Sequence, residues 1–181
     1  MSPYSEKLRV AMGASGISWQ SVLVPEQPPR ALLDTLIGGY RRIPVLQMGA
    51  HFFCDTRLAF EALHGGDRTA AYLDVGDELF RQWAESEIFF AVLSACSPVQ
   101  LLRFLYQQVG LAGAIRFARD RMRMMKNATI TPLGRKSAVV QINRYVADLE
   151  QRLTSAQFLS GDSPGYLDFC CYHPLWMICH L

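Results

Sequence analysis

The sequence predicts a protein in two parts, an α/β unit followed by an all-helical one, and three observations carry that division. Short apolar segments punctuated by Gly and Pro fill the first part. From about residue 73 onward, apolar residues recur at helical spacing with no strand signal. Between the two lies a polar connection, Gly65-Gly66-Asp67-Arg68. Domains are therefore expected at residues 1–66 and 73–181. Half of the 181 residues are hydrophobic, enough to give both parts a core.

Residues 5–15 place Leu8, Ala11, Met12 and Ser15 at helical spacing, with Gly13 and Gly16 closing the segment, so a short helix is expected. Residues 19–24 are β-rich and end at Pro25, which predicts a strand. Residues 29–37 begin with a proline suited to a first helical turn and stop at Gly38-Gly39, predicting a second helix. Residues 44–48 and 51–53, separated by Gly49-Ala50, read as a hairpin. Residues 55–63 read as a helix ended by Gly65-Gly66. In the second part, residues 75–95 form one expected helix and residues 100–126 one or two. Residues 133–154 repeat Val139, Ile142, Val146, Leu149 and Leu153, and residues 165–179 supply the last helix.

With 18 basic and 16 acidic residues, the net charge of +2 provides no global field to draw the chain onto nucleic acid or an anionic membrane. The most apolar stretch, residues 88–106, is interrupted by Ser94, Ser97, Pro98, Gln100 and Arg103, so no membrane span is expected. Five scattered cysteines, an odd number without a CxxC pair, predict free thiols and a cytoplasmic protein. His51, His64, His173 and His180 have no metal-ligand spacing, and no metal is expected. Arg116, Arg119, Arg123 and Lys126 fall on one helix face, opposite Ile115, Ala118, Met122 and Met125, and read as a solvated stripe. Phe89, Phe90, Phe104 and Tyr106 read as core.

Three motifs carry chemistry. Ser2-Pro3-Tyr4-Ser5-Glu6-Lys7-Leu8-Arg9 stands where the first helix starts. There the helix dipole and free N–H groups favour a thiolate, to which a serine hydroxyl can donate; alternatively Ser2 or Ser5 simply caps the helix. In Arg41-Arg42-Ile43-Pro44-Val45-Leu46 a proline begins a β-branched strand. It marks either an ordinary strand start or a cis turn that frees the Ile43 backbone to pair with an extended ligand. In Cys54-Asp55-Thr56, Asp55 or Thr56 is a natural N-cap. The same helix start can bind a carboxylate while Asp55 meets an amine.

Taken together, in this order and spacing, the three motifs resemble the N-terminal domain of the glutathione transferases. The resemblance implies a thioredoxin-like N-terminal domain followed by an all-α C-terminal bundle. It implies that Ser2 activates the glutathione sulfur and that Ile43, before a cis Pro44, pairs with the cysteinyl backbone. Asp55 and Thr56 would hold the γ-glutamyl end, and Arg42 would meet the glycine carboxylate. The implied reaction conjugates glutathione, the co-substrate, to a small apolar electrophile, and the implied assembly is a homodimer. A non-catalytic binding or interaction protein and a glutathione-dependent isomerase are the alternatives.

Residues 158–169, Phe158-Leu159-Ser160-Gly161-Asp162-Ser163-Pro164-Gly165-Tyr166-Leu167-Asp168-Phe169, resemble the family segment that nucleates a core helix through a capping box. Here Gly165 stands where a hydroxyl residue is usual and Leu167 where alanine is usual, with Asp168 as the remaining half of the box. The family pattern also places a β-strand directly before the serine motif and helices beyond residue 181. With Met1 alone ahead of Ser2, the chain is expected to lack that first strand, which normally lies between the strands at 19–24 and 44–48, and the final helices.

Overall fold

The computed structural model describes residues 2–25, 29–125 and 133–180. The elements in chain order are α1 (Pro3–Ala14), α2 (Ala31–Leu36), β1 (Leu46–Met48), β2 (His51–Phe53), α3 (Thr56–Leu63) and α4 (Val75–Trp83). A π-helical turn (Ala84–Ile88) follows, then α5 (Phe89–Ala95), α6 (Pro98–Met125), α7 (Arg135–Arg152) and α8 (Tyr166–His180). An α/β part is thus followed by a wholly helical one. Lys126 lies outside the described residues.

β1 and β2 pair antiparallel in the register Leu46↔Phe53, Gln47↔Phe52 and Met48↔His51. Their two-residue turn has Gly49 at φ 59°, at the first central position, where a hairpin turn of this kind calls for glycine. α1 and α3 cover the hairpin, burying Leu8, Met12 and Ala59 against Leu46 and Phe53.

Residues 19–24, expected as a strand, form none. Val22 and Leu23 are 83% and 94% exposed. Extended backbone needs a neighbouring ladder for its N–H and C=O groups, and among the described residues no strand runs beside this segment. Next to it, the buried Arg30 guanidinium ties the connection together, donating to the Pro25 and Arg41 carbonyls at 3.0 and 2.9 Å.

α8 is apolar on nearly all sides because it is buried on two. On one side Leu167, Cys171 and Met177 join Phe80, Ile88, Val92, Tyr145 and Leu149 in the core of the helical part. On the other, Tyr166, Phe169 and Cys170 pack with Ala11, Phe60 and Ala71. Asp168 organises the entry to this helix, accepting from the Leu159, Ser160 and Gly165 amides at 2.7, 3.1 and 3.0 Å. A Cβ at Gly165 would stand 2.4 Å from Ser160 Oγ, so the neighbouring Ser160 side chain occupies the space that a larger residue there would need. Pro174, inside α8, leaves the Cys170 carbonyl without its intrahelical donor.

α6 is broken at Gly110 (φ 68°, ψ 178°). Its basic residues Arg116, Arg119 and Arg123 are exposed, but so are Ile115 and Met122, so the face opposite the stripe is not buried as amphipathic periodicity would have it. Tyr106 is likewise exposed, while Phe89 and Phe90 are half-buried; nothing is described of the Phe104 side chain. No helix among the described residues is long and apolar enough to cross a membrane.

Candidate functional site at the start of the first helix

Ser2 is the extended residue before α1 (φ −103°, ψ 128°), and Pro3 opens the helix. The Ser2 carbonyl accepts from the Glu6 amide at 3.1 Å, but its hydroxyl makes no capping bond. Two other helix starts behave differently. Asp55 caps α3 by accepting from the Arg57 and Leu58 amides at 2.8 and 3.4 Å. Asp74 caps α4 by accepting from the Asp77 amide at 2.8 Å. The first-turn amides of any helix lack intrahelical partners, so at α1 a hydroxyl with no capping bond stands beside the positive end of a twelve-residue helix. That combination favours an anionic sulfur over a neutral one.

The Ile43-Pro44 peptide is cis, and both residues are half-buried. Thr56, the first residue of α3, is half-buried and Asp55 exposed. Tyr40 lies within electrostatic range of Arg42, Cys54 and Asp55. Burial raises its phenol, Arg42 opposes that shift, and Asp55 and Cys54 add to it. Arg42 also opposes the upward shift of the Tyr4 phenol, two residues after Ser2. No hydrogen bond or ion pair among the described residues joins Ser2, Ile43 and the Asp55–Thr56 pair to one another. A surface hollow of about 380 Å³ lies elsewhere, against Met48, His51, Phe53, Leu58 and Glu61, and none of the six sequence-predicted binding residues lines it.

Sequence reasoning missed the polar seam beneath α1. Lys7 is 2% exposed and donates to Glu85 Oε1 at 2.7 Å. Arg81 bonds Glu85 Oε2 and forks onto both oxygens of Glu78, holding that carboxyl down at about 2. Arg57 of α3 reaches Glu78 at 3.7 Å. Burial pushes the Tyr4 phenol up to about 12, so it stays protonated and donates to the Glu85 carbonyl at 3.3 Å. A signal for this seam existed. Lys7 shares the buried stripe of α1 with Leu8, Ala11 and Met12, where a lysine requires a partner.

All five cysteines are free, and among the described residues no His, Cys, Asp and Glu cluster could hold a metal ion. Residues 1–65 match the family described as glutathione S-transferase, N-terminal domain. A GST-like protein from Pseudomonas syringae, known from its crystal structure, is similar over 98% of this chain, with 28% identity and a TM-score of 0.64. The chain spans 55% of that protein's length. Among curated proteins, none matches this chain. A serine at the uncapped start of α1, the cis-proline turn and the capped start of α3 thus occur in a chain whose first 65 residues match the glutathione S-transferase N-terminal domain and whose overall structure resembles a GST-like protein.

Proposed function

We propose that the protein is a glutathione transferase in which Ser2 donates a hydrogen bond to the glutathione sulfur, the nucleophile that glutathione supplies. The observation that carries this reading is the Ser2 hydroxyl left free of capping at the start of α1. The α1 dipole adds to its effect, lowering the thiol from its ordinary value of about 8.5. Ile43 offers its backbone to the peptide beside Pro44, Asp55 and Thr56 receive the γ-glutamyl end, and Arg42 neutralises the glycine carboxylate. Asp168 stays outside the chemistry, its oxygens held by three amides. The electrophile is a small apolar molecule resting against the helical domain, with the domain division at residues 66–73. Free thiols agree with a cytoplasmic location. The exposed apolar side chains Leu58, Tyr72, Val75 and Leu79, on and beside α3 and α4, support a homodimer.

The test is Ser2→Ala. Turnover of a general electrophile should fall about 100-fold, as when one donor to a developing anion is removed. Retention on immobilised glutathione should persist. Undiminished turnover removes Ser2 from the mechanism. A non-catalytic interaction protein is the second reading, favoured by the exposed segment at residues 19–24, which pairs with no strand among the described residues. Failure of the wild-type chain to bind glutathione selects it. An isomerase would use the same residues and regenerate glutathione unconsumed.

A further inference from the structure

The first turns of α1 are held to the helical part by more than apolar packing. Lys7 Nζ, besides its bond to Glu85, lies 3.6 Å from Cys170 Sγ and 5.3 and 5.6 Å from the Tyr166 and Tyr4 ring centres. Tyr4, one turn earlier, donates to the carbonyl of the same Glu85. Two side chains on one face of α1 therefore grip a single residue. Glu85 sits in the π-helical turn, where an extra residue re-aims the side chains around it, a feature found often at functional positions. Its second oxygen is bonded by Arg81, which Glu78 grips in turn.

A buried ion pair is a poor source of stability, because well-packed apolar residues of similar volume do as well. What it supplies is direction, since both partners must keep their geometry to remain bonded. Ser2 stands two residues before Tyr4, about 3 Å of helical rise away. We propose that Lys7 and Glu85 are positioning residues for Ser2, clamping the N-terminal turn of α1 so that the hydroxyl and the first-turn amides keep one direction toward the sulfur. This rests on the transferase reading.

The test is Lys7→Met. Methionine nearly matches the length, and Glu85 keeps Arg81, so no charge is stranded and the fold should survive. Two measurements are made on the whole chain. Amide hydrogen exchange should quicken in the first two turns of α1. With glutathione bound, the pH midpoint of thiolate absorbance should rise and kcat should fall about 10- to 100-fold. KM for glutathione should barely move, and Lys7→Arg should recover part of kcat. Unchanged exchange in α1 overturns the clamp whether or not the protein is active. Faster exchange with an unchanged midpoint and kcat overturns the positioning role. If wild-type protein shows no thiolate signal, the transferase reading fails and the positioning role falls with it, while exchange still decides the clamp. Should Lys7→Met not fold, Tyr4→Phe removes only the hydroxyl on the Glu85 carbonyl and carries the same readouts.

Discussion

α1 and residues 17–25 are consecutive in the chain and opposite in fate. α1 buries Lys7, Leu8, Ala11 and Met12 and lies against α3 and α8. The next segment forms neither helix nor strand and leaves Val22 and Leu23 in solvent. Both have suitable local composition. The difference is that α1 meets two partners, α3 and α8, while among the described residues the β-rich segment has no neighbouring strand. Element formation in this molecule therefore follows the availability of a tertiary surface more than propensity.

Three measurements would break or sharpen that contrast. Leu8→Ala, at a 4% exposed position between α3 and the hairpin, should lower unfolding free energy by between about 3 and 5 kcal/mol in chemical denaturation. A cost below about 1 kcal/mol would mean that α1 is not anchored as described.

The second measurement is stability against pH. His173 is fully buried between Tyr4 and Phe89, with ring centroids at 4.8 and 6.1 Å. Neither ring nitrogen has a well-formed hydrogen bond, the Cys170 carbonyl one turn back being only weakly engaged. Burial first, and the Lys7 charge second, push it down from 6.5 to about 4, with Glu85 and the Cys170 carbonyl opposing. The unfolded chain therefore takes up this proton first. Stability should be level above pH 6.5 with respect to this group and fall on the order of 3 kcal/mol as pH drops from 6.5 through about 4. His173→Phe should flatten that fall; an identical slope in both proteins would exonerate His173.

The smallest effect is expected for Leu23→Ser, at 94% exposure, which should change stability by no more than about 0.5 kcal/mol. A larger loss would show that the segment is covered in solution.

Much of the architecture is readable from local signals. Gly49 at the hairpin turn, Asp55 before α3 and the glycine pair after it delimit their elements through short-range backbone chemistry. The helices of the second part follow from apolar periodicity, although α7 begins at Arg135 and not at 133, and α6 breaks at Gly110. The candidate site was legible as a set of residue types. Its decisive detail was not, because Ser2 and Asp55 look equally like helix caps in sequence and only Asp55 is used as one. The π turn was also invisible, since residues 75–95 read as continuous helix whichever turn Glu85 occupies.

By itself, then, the sequence determined the α/β part followed by helices, the hairpin at residues 44–53, the helix after Asp55 and a resemblance in residues 1–65, all of which depend on residues close together in the chain. The tertiary structure alone decided that Glu85 and Cys170 are the partners of the buried Lys7, and that residues 19–24 find no ladder among the described residues. Those partners lie 78 and 163 residues away in the chain. Burial of a charge is set by whichever surfaces close over it, and no local pattern encodes which surfaces those are.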